Sequence, residues 1–181
     1  MPVRSLPHPL ACIPWRAAVL ATLALLVAAC AGLPVPASPP AFVVVRHAEK
    51  LDDGSRDPAL SADGRARAGV IAERLRGTAL EGAWASQYLR TLQTAEPAAR
   101  AHGVAIVRYD ASEAPMDLAE RLRAANDGGT ILVVGHSNTV PGLVAALCAC
   151  EVAPLDESQY DHWFELHLDA AGGLVLRESR F

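Results

Sequence analysis

The sequence predicts an α/β fold: a layered sheet of mostly parallel strands with helices on both faces. Three observations carry this. From Phe42 onwards, short apolar runs alternate with longer stretches of helical periodicity, the pattern of strand–helix–strand units. Two of the runs, Phe42-Val43-Val44-Val45 and Thr130 to Val134, are almost wholly apolar, as strands covered on both faces are. The chain has 181 residues and is 51% hydrophobic, enough for one domain with a real core plus short appendages.

The elements follow in order. Phe42 to Val45 is short, continuous and β-branched, and reads as a buried strand. A loop carrying Asp52, Asp53, Gly54 and Pro58 separates it from a helix. Ser61 is placed as the N-cap of that helix, and Asp63 complements its dipole. The helix runs to about Arg76, offers Val70, Ile71 and Leu75 to a core, and is closed by Gly77. Ala83 to Ser86 is a second, shorter strand, followed by a helix from about Tyr88 to Ala101. Val104 to Tyr109 is a third strand. The next helix, about Met116 to Ala125, shows Leu118, Leu122 and Ala125 on one face. Thr130 to Val134 is the fourth strand and the most hydrophobic. The helix after it, about Pro141 to Cys148, is apolar on nearly all sides and is expected to lie deep, with Pro141 suited to its first turn. Trp163 to Leu168 and Leu174 to Glu178 are final strands flanking a turn at Gly172-Gly173.

The first forty residues read as appendages to this domain, which spans 41–181. Arg4 and Arg16 form a positive n-region, and Ala17 to Ala29 is an apolar run ending at Cys30. Such a run is short for a membrane span and suited to a signal h-region. The plain alternative is a secretory signal cut near Ala29-Cys30-Ala31. The ending Val27-Ala28-Ala29-Cys30 more closely resembles the lipobox of bacterial lipoproteins, which implies a signal peptide over 1–29 and lipidation of Cys30. Ala31, in place of an aspartate, implies sorting to an outer membrane, facing the periplasm, where the organism has one. Four prolines between Leu33 and Pro40 then favour an extended tether, reaching about 3.1 Å per residue.

A formal net charge of −4 counts against a nucleic-acid partner, since phosphate backbones reward clustered positive charge. Lys50 is the only lysine. Cys148 and Cys150 lie in an apolar stretch and read as small buried hydrophobes, because an i,i+2 disulfide is unfavourable and no further metal ligands lie at suitable spacing. Oligomeric state has no signal in the sequence.

In parallel sheets, ligand sites lie beyond the carboxyl ends of the strands. Three such ends carry unusual polar residues: Arg46-His47-Ala48-Glu49-Lys50, then Ser86-Gln87-Tyr88-Leu89-Arg90-Thr91, then Gly135-His136-Ser137-Asn138. Two arginines and two histidines therefore converge from distant sequence. Guanidinium forks suit phosphoryl oxygens, a neutral imidazole is a competent nucleophile, and a second imidazole can donate to an equatorial oxygen. Gly135 lets the backbone approach a bound anion, and the helix N-terminus after Thr139 adds partial positive charge. His102, His162 and His167 read as packed or surface residues. Singly, Arg46 and Arg90 could be solvated faces; the convergence is what points to chemistry.

These segments resemble the signature of the histidine phosphatase superfamily, the phosphoglycerate mutase-like fold. Arg46-His47-Ala48-Glu49 is similar to its R-H-G-E motif, with alanine in the glycine place. Ser86, Arg90, Thr91, Thr94 and Ala95 are similar to its second arginine motif, Gly135-His136-Ser137 to its late G-H motif, and Leu60-Ser61-x-x-Gly64 to a further segment. The resemblance spans about Ala41 to Leu168. It implies phosphoryl transfer through phosphohistidine at His47, with Arg46, Arg90 and His136 holding the phosphoryl group and no metal or cofactor. The substrate would be a phosphorylated small molecule or a phosphoprotein.

The chain has little room for the substrate-covering insertion of larger members, so an open site of the small-branch kind is expected. Asp110, Glu113 and Asp117 all fall where many members carry a general acid. Spacing does not choose among them, although Asp110, at the end of the third strand, comes first. A phosphomutase, or a lipid-anchored phosphate-binding module without turnover, are the other readings. Specificity is expected from residues 51–60, 110–117 and 151–161, none of which carries a readable code.

Overall fold

The computed structural model describes residues 39–181; the expected signal peptide, Cys30 and most of the expected tether lie outside the described residues. Six strands form one sheet: β1 (Phe42–Arg46), β2 (Leu80–Ser86), β3 (Ile106–Tyr109), β4 (Thr130–Gly135), β5 (His162–Leu168) and β6 (Leu174–Arg180). Their order is β3-β2-β4-β1-β5-β6. The first four pair in parallel, while β5 runs antiparallel to both β1 and β6. Helices α1 (Ala62–Arg74), α2 (Leu89–His102), α3 (Pro115–Ala125) and α4 (Val140–Cys148) connect the strands or follow them.

Alternation along β1 assigns the helices to faces. Phe42 and Val44 pack with Leu118 and Leu122 of α3 and Val140, Leu143, Val144 and Leu147 of α4. Val43 and Val45 pack on the other face with Ile71 of α1 and Ala95, Ala98 and Ala99 of α2. A strand buried on both sides must be apolar throughout, which is why β1 and β4 read as unbroken runs. The expected layers, mostly parallel, are therefore those observed.

Local details correct several expectations. Strand β2 begins at Leu80, three residues earlier than its apolar core suggests, with an irregularity between Leu80 and Gly82. Glu81 and Gly82 interrupt the hydrophobic pattern there, yet backbone pairing with β4 continues. Ser61 caps α1 as expected, accepting from the Gly64 N–H at 3.1 Å. The helix ends at Arg74 with Leu75 as its C-cap, so Gly77 is not the closing residue. Helix α4 is apolar but one-sided in burial: Val140, Leu143, Val144 and Leu147 are buried while Gly142 is exposed.

Two glycines answer to close approaches. A Cβ on Gly64 would lie 2.1 Å from the Glu49 carbonyl oxygen, so only glycine lets α1 start against the chain leaving β1. A Cβ on Gly135 would meet Thr139 Oγ1 and Val140 Cγ2 at 3.0 Å and Tyr109 Oη at 3.1 Å. Gly135 therefore serves the packing of α4 and β3 against the end of β4.

Cys148 and Cys150 are joined by a disulfide rather than buried as free thiols, and Cys150 is exposed. Ala149 between them adopts a left-handed conformation (φ 51°) at the end of α4. That bend brings the two Cα atoms to 5.2 Å, within ordinary bridging range.

Candidate active site

Parallel register brings the distant motifs to one edge. Arg46, the last residue of β1, lies opposite Gly135, the last of β4, and the His47 N–H donates to the Gly135 carbonyl at 2.8 Å. Ser86 ends β2 opposite Tyr109 of β3. The chain therefore turns out of four neighbouring strands at His47, Gln87, Asp110 and His136, and these residues line a cleft of about 590 Å³. Lys50, Tyr88, Arg90, Ser112, Asn138 and Glu157 complete much of its wall.

His47 is 4% exposed, and its ring centroid lies 5.3 Å from that of His136. Nδ1 of His47 is 2.7 Å from the Ala48 carbonyl oxygen. A carbonyl can only accept, so Nδ1 carries the proton and Nε2 keeps its lone pair. The Ala48 peptide is held in turn, its N–H donating to Thr94 Oγ1 at 3.0 Å while Thr94 donates to the Arg90 carbonyl at 2.7 Å. Burial pushes the imidazole pKa down to about 3, and His136, Arg46 and Arg90 add to that, against the opposing Ala48 hydrogen bond. His47 is thus a neutral, oriented base at neutral pH.

His136 is held by a directional chain. Its Nδ1 faces Arg90 Nη2 at 3.5 Å and can only accept from a guanidinium, which puts the ring proton on Nε2. Nε2 donates to Ser86 Oγ at 2.8 Å, Ser86 donates to Thr91 Oγ1 at 2.9 Å, and Thr91 donates to the Tyr88 carbonyl at 2.7 Å. Burial, followed by Arg90 and Arg46, lowers the His136 pKa to about 4.

The two arginines are fixed differently. Arg90 stacks over Tyr88 at 4.4 Å and has Asp57 3.7 Å from Nη1. Arg46 is 2% exposed. Its Nη1 donates to the carbonyls of Asp156, Glu157 and Gln159 at 2.8–3.1 Å, its Nη2 donates to Glu157 Oε2 at 3.0 Å, and Tyr160 covers it at 3.9 Å. Nε of each arginine is buried without a partner, an arrangement that an oxyanion would satisfy. Glu49 lies off the site, paired with Arg67 through contacts of 2.6–2.9 Å.

Residues 42–112 match the family model of the histidine phosphatase superfamily (branch 1). Over that span the chain is similar to the histidine phosphatase superfamily. The late motif at Gly135-His136-Ser137 falls beyond the matched span, and the fold brings it back beside His47. No curated protein sequence matches the chain. Solved structures share its fold. The protein histidine phosphatase SixA complexed with tungstate has a TM-score of 0.63 at 23% identity, over 77% of this chain and 96% of that one. A mycobacterial glucosyl-3-phosphoglycerate phosphatase in complex with VO3 gives 0.56 at 17% identity, over 77% and 97%. A phosphoserine phosphatase mutant from Entamoeba histolytica in complex with phosphoserine gives 0.57 at 15%, over 75% and 93%.

The three acid candidates separate. Asp110 lines the cleft, but its Oδ1 accepts from Ser112 N–H at 2.8 Å and Ser112 Oγ at 2.7 Å, closing a turn after β3. Glu113 is paired with Arg121 at 2.7 Å, and Asp117 sits exposed in the first turn of α3; neither lines the cleft. Sequence reasoning missed Glu157 as an individual residue. It lines the cleft, accepts from Ser137 Oγ at 2.5 Å and pairs with Arg46, a contact 111 residues apart that no local pattern announces.

Proposed function

We propose that the chain is a metal-independent phosphatase that hydrolyses phosphate monoesters or phosphoprotein through a phosphohistidine on His47. The observation that carries this reading is a buried neutral His47 with Nε2 unprotonated, in the field of Arg46 and Arg90, whose Nε–H groups have no partner. A tetrahedral phosphoryl group satisfies both requirements at once. Nε2 attacks phosphorus in line, and Arg90 and Arg46 supply permanent charge for the equatorial oxygens. A dianion between Arg90 and His136 favours a proton on His136 Nδ1, which then donates to the same group.

Phosphoryl transfer of this kind needs positioning and charge rather than a cofactor. Among the described residues, no group of three or more His, Cys, Asp or Glu side chains is placed to hold a metal ion. The donors of the site suit a phosphoryl group, and the three neighbours described above are named as phosphatases. Lipid on Cys30 would hold the domain at the bacterial cell envelope. Residue 40 joins the domain at the start of β1, the opposite end of that strand from the site.

The test is hydrolysis of an aryl phosphate by the full chain with and without chelator and vanadate. Turnover that survives chelator and stops with vanadate is expected; turnover that needs an added metal, or none on any ester, overturns the reading.

A further inference from the structure

On the phosphatase reading, a mechanism that breaks a P–O bond to an alkyl group needs a proton at the leaving oxygen. An alkoxide is a poor leaving group, and protonation of such a group contributes typically 10²–10⁴-fold. The proton source must lie on the solvent side of the phosphoryl seat, because in-line attack from His47 sends the leaving group away from the sheet edge.

Glu157 meets that requirement. It belongs to the segment between α4 and β5 that folds back over the strand ends. Three backbone carbonyls of that segment anchor it on Arg46 Nη1. Its carboxylate then spans two points: Oε2 on Arg46 Nη2 at 3.0 Å and Oε1 on Ser137 Oγ at 2.5 Å. Ser137 follows His136, and Arg46 precedes His47, so the carboxylate bridges the two histidine motifs. Its side chain is 81% exposed and lines the cleft, which puts it at the mouth rather than under the phosphoryl group. Among the described residues, Asp110 is the only other carboxylate on the cleft wall, and Ser112 occupies its Oδ1.

We propose that Glu157 is the proton donor and acceptor of the reaction, and that the site is therefore built for alkyl phosphate monoesters. In the free protein the Ser137 hydrogen bond and Arg46 hold Glu157 ionised, against its modest desolvation. A phosphate dianion beside it reverses that balance, because a second negative charge favours the neutral carboxyl. The carboxyl takes one proton from solvent as substrate binds. The Nε2 lone pair of His47 forms the P–N bond, the P–O bond breaks with its electron pair on oxygen, and Glu157 delivers the proton to give the alcohol. Water then attacks phosphorus while Glu157 accepts its proton; the P–N pair returns to Nε2 and inorganic phosphate leaves.

The experiment compares the wild type with Glu157→Gln, Glu157→Asp and Asp110→Asn on glycerol phosphate and on 2,4-dinitrophenyl phosphate. Glu157→Gln should lose about 10²–10⁴-fold in kcat/KM on the alkyl ester and less than about tenfold on the aryl ester. Glu157→Asp, which keeps a carboxyl, should recover part of the alkyl activity, and Asp110→Asn should keep the wild-type ratio. Equal losses on both esters reduce Glu157 to a positioning residue for Arg46 and overturn the proposal. So does the leaving-group pattern appearing in Asp110→Asn instead. If the wild type turns over neither ester, the phosphatase reading itself fails.

Discussion

Burying two neutral histidines makes the domain sensitive to acid in a defined window. The unfolded chain protonates a histidine near pH 6.5, whereas the folded protein holds His47 neutral down to about 3 and His136 down to about 4. Below 6.5 the unfolded state therefore binds more protons, so stability is complete above that value and is lost as pH falls towards the folded pKa values. Each pH unit inside the window costs about 1.4 kcal/mol per histidine. At about pH 4.5, two units into it, the cost is roughly 2–3 kcal/mol for each ring and about 5 kcal/mol for both. That is a large share of a typical total of about 5–15 kcal/mol. Urea unfolding at about pH 7 and about pH 4.5 measures it. The fall on acidification should be smaller in His47→Gln than in wild type by about 2–3 kcal/mol, with a similar reduction in His136→Gln. If both variants lose as much stability as wild type, the imidazoles are not held neutral by burial. The oriented free base on which the chemistry depends is then wrong.

Gly64→Ala should destabilise the domain by about 1–3 kcal/mol, since its Cβ would strike the Glu49 carbonyl at 2.1 Å, whereas Gly69→Ala on the same helix, with open space around it, should stabilise by about 0.5–1 kcal/mol. Thermal melts of the two variants should move in opposite directions; a shared direction refutes the close-approach argument. Cys30→Ser should move the protein from the membrane to the soluble fraction without changing kcat. Wild-type protein that takes up no labelled fatty acid removes the anchor.

The order of strands and helices was legible because burial on both faces forces unbroken apolar strands such as Phe42 to Val45, and helices such as α3 show an inward stripe, here Leu118 and Leu122, with Ala125 at its end exposed instead. The convergence of His47, Arg90 and His136 was legible too, because parallel strands deliver their ends to one edge. Contacts made by returning loops were not. Arg46 is held by carbonyls of residues 156–159, and a backbone carbonyl has no sequence signature. Glu157 shares that origin, which is why the search for an acid stopped at Asp110, Glu113 and Asp117. The Cys148–Cys150 bridge depends on Ala149 taking a positive φ, a conformation that a non-glycine residue seldom adopts and that its identity does not predict. Gly77 looked like a helix stop by type, yet α1 ends earlier, at Arg74, because its last turn closes on Leu75.

The central claim is covalent catalysis by His47. Its most direct test is rapid quenching of the full chain at neutral to alkaline pH during turnover of a 32P-labelled phosphate ester, followed by peptide mapping. Acid-labile, base-stable label on the peptide containing His47, absent from His47→Ala, is the expected result. Label on a serine or aspartate, or steady turnover with no label on the protein at any time, contradicts the account.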